Sequence, residues 1–283
     1  MIHFKEKLQE RLVENIKSIN SIAGGDINDV YKIITNQNTY VLKVNRKDLF
    51  PEMFKKEKLG LEILAAAGVK SPEVILTFSD SEYQYLVLEF IEEESINLVF
   101  WKNFAEDITK IHRTTAKSFG LDHHNYIGSL HQDNSEKNTW ETFFIENRIK
   151  PLVKTAFDKN RLDRNHLKQF ESLYARLNDI LPTENPTLLH GDLWGGNLMK
   201  GKNQTPVFID PAVYFGHREM DIAMTQLFDG FDNSYLDHYN EIFPLEKGWE
   251  ERITIHNLYP NLVHLILFSR SYLGGIEKVI RQF

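Results

Sequence analysis

Residues 188–212, LLHGDLWGGNLMKGKNQTPVFIDPA, gather His190, Asp192, Asn197 and Asp210 around a turn-rich core with apolar flanks. An unpaired buried polar group costs roughly 1–3 kcal/mol, so polar side chains kept among apolar ones mark a site. With LMK and VFID as the arms of a hairpin closed by GKNQTP, Asn197 and Asp210 bracket it and face one another across two strands. Directly opposed positions have Cβ atoms about 4.5–5.5 Å apart. Two oxygen side chains at that spacing can share a hard cation such as Mg2+, which keeps waters and takes phosphate oxygens as further ligands. Asp192 starts the same turn and offers a carboxylate to the proton of an attacking hydroxyl. Singly, Asp and Asn are also routine turn and cap residues. Together, in this spacing, they point to phosphoryl transfer.

The pattern H-x-D-x-x-x-x-N, then a short hairpin and a second Asp, matches the catalytic loop and metal-binding element of the kinase signature set. It makes Asp192 the base, Asn197 and Asp210 the Mg2+ ligands and His190 a brace for the loop. Such a site needs three further parts upstream, and the chain offers each in order. AGGDIND supplies Gly24 and Gly25, whose backbone amides can approach phosphate closely. YVLKVN supplies Lys43, alternating with Leu42 and Val44 and so facing away from them, into the cleft. The next helix supplies Glu57 to pair with Lys43; Glu52 and Glu62 share that helix, but Glu57 sits mid-helix beside the apolar positions Phe54 and Leu61. YLVLEFIEE then places the backbone of Glu89 and Ile91 where a hinge could hydrogen-bond adenine.

These residues need a framework to hold them. The N-terminal MIHFKEKLQERLVENIKSI mixes charge signs at helical spacing, and NSIAGGDINDVYKIITNQNTYVLKVN reads as three antiparallel strands separated by turn signals. Pro51 opens a helix with Phe54, Leu61, Leu64 and Ala65 on one face and Gly68 as its stop. EVILTF and YQYLVLEF add two strands. Beyond residue 93 helical patterns dominate, at about 97–118, 139–158, 163–180 and 249–281, and Pro151 predicts a kink. The expected fold is therefore α+β and two-lobed: a β-rich nucleotide lobe with one helix over 1–93 and a mainly helical catalytic and substrate lobe over 94–283.

Composition narrows the function. The chain has 283 residues, 42% hydrophobic and 26% charged, enough for a core in each lobe. A net charge of −7 argues against nucleic-acid binding, which rests on Lys and Arg at phosphates. With no cysteine, thiolate catalysis and Cys-ligated zinc are excluded. The N-terminus lacks a signal-peptide pattern, and the apolar run LVHLILF at 262–268 is too short for a bilayer, so a cytoplasmic location without a membrane partner is expected. His123, His124 and His131 are too irregularly spaced for a metal site and read as surface loop residues.

With those residues in view, the chain resembles the fructosamine kinase (ketosamine-3-kinase) family, allied to the aminoglycoside phosphotransferases within the protein-kinase-like superfamily. GGDINDVYKI, HGDLWGGN and DPAVYFGHREMDIAM carry the resemblance, with support from IGSLHQDN and WETFFIENRIKP. HGD with a following Asn specifies only the superfamily; Trp194 and the GHRE segment point to the family. The resemblance implies ATP and Mg2+ as cofactors and transfer to the 3-hydroxyl of a ketosamine, free or on a protein lysine, the product then breaking down to release the amine in a deglycation repair. It implies the roles given above for Asp192, Asn197, Asp210, Lys43 and Glu57, with Trp194 packing on the sugar or its linker and His217 and Glu219 near the substrate. Asp221, in the helix after GHRE, is expected to support the catalytic loop. The alternatives are a kinase acting on an aminoglycoside, choline or homoserine, to which Glu92, Glu93 and Glu94 would lend acidity, and an inactive nucleotide-binding scaffold.

Overall fold

A computed structural model describes residues 4–22 and 27–283. Gly24 and Gly25 lie outside the described residues. Helix α1 (Lys5–Leu12) stops at Val13, whose backbone is left-handed, and β1 (Ile16–Ser21) follows at once. The first strand thus begins earlier than its turn signals suggest: in IKSINS the apolar Ile16 and Ile19 lie three apart and the pairing with β2 is irregular between Ile16 and Ser18, so no two-residue period marks the strand.

Strands β2 (Asp29–Thr35), β3 (Thr39–Arg46), β4 (Val74–Ser79) and β5 (Tyr83–Glu89) complete an antiparallel sheet in the order β1-β2-β3-β5-β4. Helix α2 (Met53–Ala66) connects β3 to β4. The pleat divides β3 cleanly. Tyr40, Leu42 and Val44 pack with Tyr85 and Val87 on the α1 side, while Leu86 and Leu88 pack with Met53, Phe54 and Leu61 of α2 on the other. Lys43 falls on the α2 face by that alternation. Phe54 and Leu61 are almost fully buried, each worth about 1.5–3 kcal/mol, and they fix the helix face that presents Glu57 to the sheet. Ala65, expected on this apolar face, is exposed.

Helix α3 (Leu98–Arg113), capped by the Asn97 side chain, opens the helical part. A short hairpin follows, β6 (Asn125–Ile127) and β7 (Leu130–Gln132). Helix α4 (Trp140–Phe143) runs through a π-helical turn at Phe144–Ile149 into α5 (Lys150–Asp158), so the disturbance expected from Pro151 is taken up one turn earlier. Then come α6 (Arg164–Tyr174), α7 (Leu177–Ile180), β8 (Thr187–Leu189), β9 (Leu198–Gly201), β10 (Thr205–Phe208) and β11 (Tyr214–Gly216). The chain ends with α8 (Glu219–Thr225), α9 (Ser234–Ile242), α10 (Trp249–His256), α11 (Leu258–Leu267) and α12 (Leu273–Ile280). Helix α9, which packs on α3, has no counterpart among the expected helical patterns. Among the described residues, no helix is long and apolar enough to cross a membrane.

Candidate active site

Strand β8 delivers His190 to a loop whose shape is set by backbone bonds. Asp221 at the start of α8 accepts the N–H groups of His190 at 2.7 Å and Gly191 at 3.0 Å, and is itself approached by His112 Nε2 of α3 at 3.4 Å. Gly191 has φ +81, and a Cβ there would lie 2.2 Å from the carbonyl oxygen of Ala212. Only glycine lets this loop lie against the segment that follows Asp210. His190 donates from Nε2 to the Ile209 carbonyl at 3.0 Å and accepts the Asp192 N–H on Nδ1 at 3.2 Å. Burial lowers its pKa against the pull of Asp221, and the ring braces the two arms of the site.

Asn197 donates from Nδ2 to the carbonyl of Asp192 at 2.9 Å and to its carboxylate at 3.0 Å. That leaves Asn197 Oδ1 as the open oxygen. The β9–β10 register pairs Leu198 with Phe208, and the Ile209 N–H donates to the Asn197 carbonyl. Asn197 therefore lies across from Ile209, not from Asp210, one residue off the opposition that the hairpin reading predicts. Asp210 reaches the site by another device, a left-handed backbone at φ 52 that turns it out of the strand line.

Lys43 donates to Glu57 at 2.6 Å and to Asp210, joining β3, α2 and the β10 arm in one cluster. Burial alone would lower its pKa, but Asp210 and Glu57 more than offset that and raise it. Glu57 is raised by burial and by Asp210 despite Lys43. Of the other glutamates on the helix, Glu52 pairs with Lys55 and Glu62 with Lys58, both in solvent. Asp192 is pushed up to about 7, first by burial and then by the charge of Asp210, with Asn197 opposing.

Asp192, Asn197, Asp210 and Glu57 line one cavity of about 980 Å³. Trp194 stands at it, 41% exposed, its indole lying over Gly196, which rules out a place in the core. Further lining residues come from distant parts of the chain: Tyr126, Phe228, His264 and Tyr272. His264 donates from Nδ1 to the Pro260 carbonyl at 2.7 Å, which leaves Nε2 as its acceptor. None of these four carries a spacing signal; Phe228, His264 and Tyr272 meet at α11, while Tyr126 sits by Phe50 and Pro51.

Glu89 and Ile91 stand away from this cavity. The Glu89 N–H is taken by the Glu73 carbonyl at 2.9 Å and its carboxylate by Lys70 at 2.6 Å, whereas the Ile91 N–H has no partner among the described residues. His217 and Glu219, expected near the substrate, are enclosed and do not line the cavity. The chain turns inward after β11. Glu219 is clasped by Arg252 at 2.6 and 2.8 Å and by His256 at 3.1 Å, and His217 stacks on His256 with ring centroids 5.3 Å apart. A Glu and two His side by side resemble a metal site. Here, however, Arg252 neutralises Glu219 and Arg218 neutralises the adjacent Glu184 at 2.9 Å, so a buried divalent cation would find no uncompensated charge.

The fructosamine kinase family model matches residues 2–283. The chain belongs to the fructosamine kinase family. Among relatives of this family, a protein of Enterococcus faecium named "Probable ketoamine kinase" is 38% identical over 264 residues, covering 93% of this chain and 94% of that one. A namesake from Lactiplantibacillus plantarum is 32% identical, with 99% of both chains covered. The crystal structure of a Thermobifida fusca protein, described as a candidate fructosamine-3-kinase, superposes with a TM-score of 0.88 at 30% identity, covering 98% of this chain and 96% of that one. A thermostable mutant of the aminoglycoside phosphotransferase APH(4)-Ia superposes with a TM-score of 0.69 at 15% identity over 98% of each chain, which shows a shared fold. This member of the fructosamine kinase family thus has the protein-kinase-like α+β fold, and the family makes it a kinase.

Proposed function

We propose that this chain transfers the γ-phosphoryl group of ATP to the 3-hydroxyl of ketosamines, the ribulosamine and fructosamine adducts of amines or protein lysines. The observation that carries the reading is the convergence of Asp192, Asn197 and Asp210 on one cavity with Trp194 at its wall, in a chain of this family. Asp192 accepts the proton of the attacking hydroxyl; its carboxyl, held at about 7, titrates close to neutral pH, as suits a general base. Lys43, held by Glu57, orients the nucleotide phosphates, and the Ile91 N–H is the free hinge donor for adenine. Asn197 Oδ1 and the Asp210 carboxylate form an all-oxygen donor pair that fits Mg2+. When bound there, Mg2+ supplies charge neutralisation at the phosphates. Trp194 packs on the sugar or its linker. The phosphorylated product then falls apart and frees the amine, which is the deglycation step.

The aminoglycoside alternative loses its main support. Glu92 is paired with Lys202 at 2.5 Å, and Glu93 and Glu94 accept the backbone N–H groups of Lys200 and Asn203. None of the three lines the cavity. The test is ADP release from Mg·ATP with ribulosyl-lysine or fructosyl-lysine as acceptor. Turnover that falls ~10²–10⁴-fold in Asp192→Asn is expected. ATP binding without turnover on either acceptor overturns the reading.

A further inference from the structure

Four carboxylates line the cavity, and the proposed chemistry accounts for three: Glu57, Asp192 and Asp210. The fourth is Asp229. It is exposed, follows Phe228 directly, and has no ion-pair partner among the described residues. Its loop is pinned beside the catalytic turn: a Cβ on Gly195 would fall 2.6 Å from the Asp229 carbonyl oxygen and 3.1 Å from the Cα of Gly230. This fixes Asp229 next to Trp194, and its carboxylate makes no hydrogen bond or ion pair among the described residues.

The wall beside it is aromatic and continuous. The Trp194 and Phe228 rings lie 6.3 Å apart nearly edge to face, Phe228 and His264 5.0 Å apart, and His264 and Tyr272 4.9 Å apart. Aromatic faces attract cations through their quadrupole, most strongly when water is partly excluded. A carboxylate at the edge of such a wall adds a charge-assisted acceptor for an N–H donor. The lysine that lines the cavity, Lys56 of α2, is turned to the His124 carbonyl at 2.6 Å.

We infer that Asp229, with Trp194 and Phe228, forms a subsite for the protonated secondary amine that joins the sugar to its carrier. The inference rests on the ketosamine reading above and deepens it: the acceptor is recognised as a cation, with its apolar chain along the Phe228–His264–Tyr272 wall. The nitrogen keeps its proton throughout, and no bond to it changes in the transfer. Neutral O-linked sugars of the same shape lack the N–H and the charge, and leave Asp229 facing an ether oxygen that can only repel it.

The experiment compares 1-deoxy-1-propylamino-fructose with the 1-O-propyl ether of fructose as acceptors at saturating Mg·ATP, for the wild type, Asp229→Asn and Asp229→Glu. The wild type is expected to favour the amine by tenfold or more in kcat/KM, mostly through KM. Asp229→Asn should reduce that preference about tenfold, and Asp229→Glu should keep most of it. An amine-to-ether ratio that is the same in wild type and Asp229→Asn overturns the inference. If the wild type phosphorylates neither compound, the ketosamine reading itself fails. In that event tryptophan fluorescence titrated with dipropylammonium chloride still decides the subsite: quenching lost in Asp229→Asn supports it, and an equal response in both proteins overturns it.

Discussion

Lys43 holds two carboxylates at once, so its loss touches structure and chemistry together. Breaking a buried ion pair by removing one partner costs about 3–5 kcal/mol, because the remaining charge stays buried and unpaired. Lys43→Met should therefore lower stability by an amount in that range and abolish turnover together, since Glu57 and Asp210 would be left facing one another. The double variant Lys43→Met with Glu57→Gln removes one of the two stranded charges. Its urea midpoint should recover part of the loss while activity stays absent. A double variant no more stable than Lys43→Met would show that Glu57 was not strained by the missing partner. That Lys43, Glu57, Asp192, Asn197 and Asp210 come together was legible in the sequence, because the HGD turn, its Asn and the second Asp have a fixed spacing and a strand lysine followed by a helix with a mid-helix glutamate precedes them. The facing wall was not. Phe228, His264 and Tyr272 are ordinary aromatic residues in their local sequence, and only the docking of α11 brings them to Trp194. His217 and Glu219 were legible as polar residues near Asp210, but Arg252, which clasps Glu219, lies 33 positions from it in sequence, too far for a local reading to reveal the inward turn.

Among the elements, the turn over 190–197 is shaped by glycines for two separate reasons. Gly191 is required by backbone geometry, Gly196 by the indole lying over it: a Cβ at Gly196 would come 2.2 Å from the Trp194 ring. The ring is a side chain and can swing, so Gly196→Ala should fold and should displace Trp194. Its effect is expected on the KM of the sugar acceptor, several-fold upward, with little change in the KM of ATP. A change confined to ATP would show that Trp194 does not face the acceptor. The join between α8 and α10 makes a different prediction, for pH. Burial, then His256, push His217 down to about 4; burial would raise Glu219, but Arg252 and His256 outweigh it and hold that carboxyl at about 2. For both groups the unfolded chain binds the proton more readily than the folded one, so both contribute stability that is lost on acidification. His217 acts as pH falls from its ordinary value of about 6.5 toward 4, and Glu219 below about 4.5. The urea midpoint of the wild type should fall across the first window, and His217→Gln should flatten that limb; an unchanged slope in the variant would assign the acid sensitivity to other groups.

Across the whole molecule, bonds from several elements join the sheet and α2 to the helical part, among them Lys56 to the His124 carbonyl and Tyr126 to the Pro51 carbonyl. Phe208 N–H donates to the Lys70 carbonyl, Glu94 N–H to the Lys200 carbonyl, and Lys43 crosses to Asp210. Asp210 therefore has two duties in the proposed mechanism: it ties β3 to the β10 arm, and with Asn197 it offers the oxygens for Mg2+. Thermal stability can separate them. A ligand present at a hundred times its Kd stabilises the folded state by about 2.7 kcal/mol, so Mg·ATP should raise the melting temperature of the wild type. Asp210→Asn loses the ion pair to Lys43 and should melt lower before any ligand is added. The informative quantity is the further rise that Mg2+ brings over ATP alone. That increment should be present in the wild type and nearly absent in Asp210→Asn, because the amide brings no negative charge to the cation. If the increment survives in Asp210→Asn at full size, Asp210 is a structural tie between the two parts and the cation is held elsewhere.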